Sequence, residues 1–245
     1  MGYRSIAELV ANLRNGDALV SSAKSLADLA ALHEATDNPF AIAAAGGVEA
    51  LVALVAQGPD PGARDHAARA LGHLAAGDVD AKARVAAAGG VAPLVALARS
   101  GGDRGREWAA GALANLATSN ADNRVAIAWA GGIAPLVALV RGGAPGGGRA
   151  EAARALANLA CSADNAVAIA NAGAIPPLVD LVRVGGDAAK KEAAAALGEL
   201  AFDDDVRKRI AAAGGVAPLV ALARGGSDGS KQWAGWALRN FAEAP

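Results

Sequence analysis

The segment Ala130-Gly131-Gly132-Ile133-Ala134-Pro135-Leu136-Val137-Ala138-Leu139-Val140-Arg141 recurs through the chain, with near copies starting at Ala45, Ala88, Ala172 and Ala213. Its anchor position is held by Val48, Val91, Ile133, Ile175 and Val216, so the spacing runs 43, 42, 42 and 41 residues. An earlier anchor, Ile6, heads Ile6-Ala7-Glu8-Leu9-Val10-Ala11. Self-similarity at this period means one supersecondary unit used about six times, each burying its apolar face against its neighbours. Length alone would point to one or two globular domains. The repeat overrides that expectation and points to a single stacked body.

The grammar of the unit is clearest over residues 120–162. Asn120, Asp122 or Asn123 starts a short helix over 124–130 that carries Val125 and Ile127. Gly131-Gly132 stops it, because glycine reaches positive φ without a Cβ clash. Pro135 falls in the first turn of the next helix, where its missing N–H costs nothing. Leu136, Val137, Leu139 and Val140 form that helix's stripe, and 142–148 form a loop. A third helix over 149–160 buries Ala152, Ala155, Leu156 and Leu159 at helical spacing. Neither period-2 alternation nor Asn-Gly hairpins indicate strands. Residues 5–34 lack the short first helix. There, a helix over 6–14 ends at Asn15-Gly16, and Asp17 is placed to cap a second over 18–33. Ser21, Ser22, Lys24, Ser25 and Asp28 make that second helix polar, as a terminal unit shielding a stack must be. The last helix, with Trp233, Trp236 and Phe241, reads instead as an internal one. A lone open end would expose an apolar patch, so the C-terminal end is expected either to belong to a longer protein or to pack against another copy.

Three helices per ~42 residues, the first short and the second opened by Gly-Gly-x-x-Pro, is a pattern by which residues 5–243 resemble the armadillo-repeat family. The resemblance implies an all-α, right-handed α-α superhelix. Its units fall at about 1–36, 37–77, 78–119, 120–162, 163–202 and 203–245, the first incomplete, in one solenoid over 1–245. Composition agrees: hydrophobic residues are 53% of the chain but aromatics only 3%, so the core must be built from Ala, Leu and Val, which suit close helix packing.

Little in the chain suggests catalysis. His33, His66 and His73 carry no metal-spaced Cys or carboxylate neighbours. The Gly-rich loops lack the Lys-Ser or Lys-Thr of a phosphate cradle. Asp203-Asp204-Asp205 suits a helix start without any metal. A non-enzymatic chain with no cofactor, metal or small-molecule substrate is expected. A net charge of -1 gives no reason to expect nucleic acid as partner, and no apolar run is long enough to span a bilayer. The single Cys161 is read as a small core residue and fits a reducing compartment, which places the chain inside the cell, in the cytoplasm first and the nucleus second.

The third helices carry the candidate binding face. Aligned on one column they present Asp28, His73, Asn115, Asn158, Glu199 and Asn240. Leu26, Leu71, Leu113, Leu156, Leu197 and Leu238, two positions earlier, recur without exception and are read as core. Positions four and seven before the column lie within about 40° of it. They add Arg69 and His66, Gly111 and Trp108, Arg154 and Glu151, Ala195 and Glu192, Trp236 and Trp233. The resemblance implies that third helices line a concave groove holding extended peptides. In importin-like members, Asn at this column clamps the peptide backbone and Trp four residues earlier packs its side chains. Asn115, Asn158 and Asn240 match the Asn position, and Trp236 the Trp position. His73 and Glu199 replace Asn, so the ladder departs from the importin pattern. Charge changes sign along it, from Arg69, His66 and His73 to Glu192 and Glu199. A partner Lys or Arg is therefore expected to stack on Trp236 and meet Glu192 or Glu199. A second, basic column (Arg64, Arg106, Arg149, Lys190, Lys231) faces the other way and is expected to pair with Asp65, Glu107 and Glu151.

The expected function is a protein-interaction scaffold binding an extended peptide or a helix. Two readings stand beside it. The chain could be the armadillo portion of a larger protein such as a U-box ubiquitin ligase or a vacuolar or cytoskeletal adaptor, or an engineered or purely structural array.

Overall fold

The structure is a computed structural model, and it describes residues 5–32, 37–77, 79–142 and 147–242. His33 and most of the 142–148 loop lie outside these residues. All seventeen elements among the described residues are α-helices. The first repeat supplies α1 (Ile6–Asn15) and α2 (Leu19–Ala30). Triplets follow: α3 (Asn38–Ala44), α4 (Gly47–Gln57), α5 (Pro61–Ala75); α6 (Val79–Ala87), α7 (Val91–Ser100), α8 (Asp103–Ala117); and α9 (Ala121–Trp129), α10 (Ile133–Gly142), α11 (Gly147–Ala160). The last two triplets are α12 (Ala163–Asn171), α13 (Ile175–Val184), α14 (Asp187–Leu200) and α15 (Asp204–Ala212), α16 (Val216–Gly225), α17 (Asp228–Ala242). The chain forms two compact units, Met1–Ala130 and Gly131–Pro245.

In the first unit the third helices α2, α5 and α8 pack side by side, each against its own second helix α1, α4 or α7. The second unit repeats this with α11, α14 and α17 against α10, α13 and α16. Alanine makes the close spacing feasible: Ala67, Ala68 and Ala70 of α5 and Ala109, Ala110 and Ala112 of α8 are buried. A Cβ on Gly72 would lie 3.4 Å from the Cα of Ala112, so here the backbones themselves come close.

The turn between first and second helices is sharp, bending the chain by 77° between α3 and α4 and 84° between α12 and α13. Gly46 and Gly173 make it in the left-handed region, at φ 73° and 79°. An arginine from the last turn of the preceding second helix then holds the turn. Arg14 Nη2 donates to Ala45 O at 3.1 Å and Gly46 O at 3.2 Å, and Arg183 Nη2 to Gly214 O at 3.4 Å. Third-helix C-termini are closed by the helix that follows. Buried Asn123 donates to Leu116 O at 3.0 Å and Asn165 to Leu159 O at 3.2 Å, satisfying carbonyls that the helix leaves over. Asn120 caps α9, accepting from the Asn123 N–H at 2.9 Å.

Several local expectations need correction. Asp17 does not cap α2. The N-cap is Ala18 in the left-handed region, because Gly16 at φ 80° has already reversed the chain. Cys161 is exposed, since it lies one residue past the end of α11, beyond the packed stripe. Val125 is exposed while Ile127 is buried, so α9 turns only one of the two inward. Leu26, Leu71, Leu113, Leu156 and Leu197 are fully buried, but Leu238 is half-buried. The basic column pairs differently from expectation. Arg106 bonds Asp103 one turn back, Lys231 lies 3.8 Å from Asp228, and Arg149 Nε donates to Val140 O at 3.1 Å. Glu151 is turned instead to Arg154. Among the described residues no single helix is long and apolar enough to cross a membrane.

Candidate functional site

In the first unit the third-helix face is organised around Arg69 of α5. Its guanidinium pairs with Asp28 of α2 and lies 5.5 Å over the ring centroid of Trp108 of α8. Its Nε donates to His73 Nε2 at 3.5 Å, one helical turn on. Arg69, His73 and Trp108 therefore come together as one rung, with Asp28 as a partner that the sequence placed in the column but not in the site. Asn115 sits beyond them, half-buried, with its Nδ2 donating to Gly72 O at 2.8 Å. That carbonyl belongs to the neighbouring third helix, so part of the Asn115 amide is engaged in holding α8 to α5. His66, one turn before Arg69, is held below the usual imidazole range, first by burial and then by the positive charges of Arg69, Lys24 and Arg104. Its Nδ1 is buried without a hydrogen-bond partner. Burial likewise raises Asp65 above the usual carboxylate range, against the opposing pull of Arg104.

The second unit carries aromatic residues on the equivalent face. Trp233 and Trp236 of α17 meet edge to face at 5.4 Å between centroids, and Phe202 lies 5.8 Å from Trp236. Trp236 is seated on Gly198 of α14, where a Cβ would lie 2.6 Å from its Cε3. The ring thus packs between repeats with one part and remains half-exposed with the rest. Asn240 Nδ2 donates to Gly198 O at 3.1 Å, the same bond that Asn115 makes to Gly72. Glu199, half-buried, follows Gly198 directly in α14. Glu192 is half-buried, with Lys191 Nζ 3.4 Å from its Oε1. Arg154 of α11 turns along its own helix to Glu151, with Nε to Oε2 at 3.0 Å. Asn158, also half-buried, lies one turn further along that helix.

Phe202 was not singled out from sequence, yet it is 64% exposed and completes the aromatic set. A signal existed: it stands three residues after Glu199, within about 60° of the same column at 100° per residue. Trp129, at the end of α9, was also passed over and is 89% exposed, but it belongs to a first helix and not to this face. Among the described residues no group of three metal-binding side chains is formed.

Comparison with known proteins gives this geometry a context. The family model described as Armadillo/beta-catenin-like repeat matches residues 36–76 and 162–202. No curated protein matches. Among solved structures, an engineered protein aligns with a TM-score of 0.90 at 30% identity, covering 99% of this chain and 100% of its own. A second engineered protein aligns at 0.89 with 35% identity, covering 98% and 97%. A designed armadillo repeat protein in complex with the peptide (KR)4 aligns at 0.85 with 25% identity, covering 97% and 100%.

Proposed function

The chain belongs to the armadillo-repeat family, and from that premise we propose that it is a non-catalytic scaffold whose third-helix face binds an extended peptide. The observation that carries this reading is the Phe202–Trp236–Trp233 set, partly open to solvent, with the acidic residue Glu199 next in sequence to the Gly198 on which Trp236 sits. Aromatic rings stack on the alkyl stem of Lys or Arg while a nearby carboxylate takes the charge. Aromatic anchors of this kind dominate protein interfaces. The similar designed armadillo repeat protein in complex with the peptide (KR)4 supports the same ligand chemistry. The test is a peptide-display selection on the purified chain and on a Glu199→Lys, Phe202→Ala double variant. Phe202 is exposed, so the variant is expected to keep its circular dichroism. Peptides rich in Lys or Arg should enrich on the parent and lose at least about tenfold in affinity on the variant. Enrichment of unrelated sequences that survive both substitutions would remove the reading.

A second reading concerns association between copies. Val52 of α4 reaches Gly90 and Val179 of α13 reaches Gly215, each valine filling the space beside the turn of the following repeat. The equivalent Val220 of α16 is half-exposed, and Val216 is 36% exposed where Val48 and Ile175 are each 4%. The α16–α17 face thus continues the pattern of the repeat interface, and a second copy of this chain is the occupant we propose for it.

A further inference from the structure

In the first unit a cation of the chain itself holds the place that a partner's cation would take. Arg69 of α5 reaches both neighbouring third helices: its Nη2 pairs with Asp28 of α2, and its central carbon lies 5.5 Å over the Trp108 ring of α8. Its Nε is engaged as well, donating to His73. An aromatic face and a carboxylate are the two groups that recognise a guanidinium or an ammonium. Held between them, the Arg69 side chain is only 19% exposed.

The second unit carries the same ring without the cation. Trp108 stands seven residues before Asn115, as Trp233 stands seven before Asn240, so the two rings occupy one place in the repeat. Arg69 stands four before His73 on the preceding third helix, and its counterpart, four before Glu199, is Ala195, which is buried and uncharged. Trp233 meets the ring of Trp236 instead and stays half-exposed. The charges around the first-unit rung favour an exchange of one cation for another. Lys24, Arg69 and Arg104 stand with Asp28 and Asp65, while Arg64 and Asp60 offset each other at the N-terminal end of α5. Without Arg69 the remaining cations and carboxylates balance. Asp28 would then lose the one ion-pair partner it has among the described residues.

We infer that Trp108 and Asp28 form a subsite for a Lys or Arg side chain, and that Arg69 is its internal occupant, the residue that closes this rung to a partner's cation. Arg69 thereby sets specificity: a basic peptide is taken by the open aromatic set of the second unit, and the first-unit rung is filled from within. This deepens the peptide-binding reading and rests on it for the class of ligand.

The test reads each rung by the NMR resonance of its own indole N–H, assigned with Trp108→Phe and Trp236→Phe. The probes are an octapeptide alternating Arg with Ser and a control alternating Gln with Ser, at low ionic strength, where exposed charges are least screened. In the unmodified chain the Arg peptide should shift Trp236 and leave Trp108 in place. In Arg69→Ala it should shift Trp108 saturably, and the Gln peptide should not. Arg69→Lys keeps a cation in the rung and should leave Trp108 silent. Adding Asp28→Asn to Arg69→Ala should raise the half-saturating concentration roughly tenfold, as loss of a charged partner does. A Trp108 resonance that shifts in the unmodified chain, stays silent in Arg69→Ala, or responds equally with and without Asp28→Asn would each overturn the inference. So would an Arg69→Ala chain that loses its helical circular dichroism, because Arg69 would then be a strap between repeats and not an occupant. A silent Trp236 with a responsive Trp108 in Arg69→Ala would remove the second-unit site and leave this one standing. Silence of both rings in every chain would remove both.

Discussion

A methyl group added at Gly198 would lie 2.6 Å from Cε3 of Trp236, closer than real Cβ contacts come. Gly198→Ala should therefore unseat the ring, at a cost of about 1–3 kcal/mol from overpacking. Urea denaturation would measure the loss, and near-ultraviolet circular dichroism would report the disturbed Trp233–Trp236 pair. An unchanged spectrum would mean that Trp236 does not depend on that seat. His66 makes a different prediction. Its folded pKa is lowered, so the folded chain takes up this proton less readily than the unfolded one. The stability it contributes is present above the ordinary imidazole value and lost as pH falls through it toward the lowered folded value. The urea midpoint should drop across that window, and His66→Gln should flatten the drop. Asp65, whose folded pKa is raised, has the opposite sign: its contribution is lost as pH rises through the raised folded value, so it does not produce the fall expected of His66.

At the scale of the element, the leucine column separates what periodicity can show from what it cannot. Leu113 is fully buried between α8 and its neighbours, and Leu113→Ala should cost about 2–5 kcal/mol. Leu238 occupies the same position in the repeat but is half-buried, so Leu238→Ala should cost distinctly less. Parallel denaturation of the two variants checks this, and equal losses would contradict it. The three-helix grammar, the glycine turns and the buried leucine stripe were all legible, because each is set by neighbours within a few residues of chain. The asparagine ladder was less legible. A helical wheel shows that Asn115 and Asn240 point out of their own helices, but not that Gly72 O and Gly198 O of the adjacent third helix lie within bonding distance. The basic column misled for the same reason. Its partners were sought among adjacent residues, whereas Arg106 and Lys231 find theirs one turn back and Arg149 finds a carbonyl of the preceding helix.

On the scale of the whole molecule, the repeat makes every interior surface a copy of another, so departures from the copy are informative. Val10, Val52 and Val179 all reach the glycine of the following turn, at Gly47, Gly90 and Gly215. Val220 stands at the next position of that series, half-exposed, with Val216 exposed beside it. Sequence alone gave the valine at each place but no measure of which ones are covered, since coverage depends on stacking and not on periodicity. If a second copy seats on this face, the mass measured by light scattering should rise with concentration toward a dimer. A Val216→Lys, Val220→Lys variant should hold the monomer mass over the same range, because each lysine would have to surrender water to be covered. Both valines are at least partly exposed, so the variant should retain the helical content of the parent. A parent that stays monomeric at the highest concentration, or a variant that associates equally well, would show that these valines do not join copies of the chain. The same samples allow the peptide titrations to be repeated. Binding through the third-helix rungs should be unaffected by the end-face substitutions, because Phe202, Glu199 and Arg69 lie on third helices or their ends and not on α16.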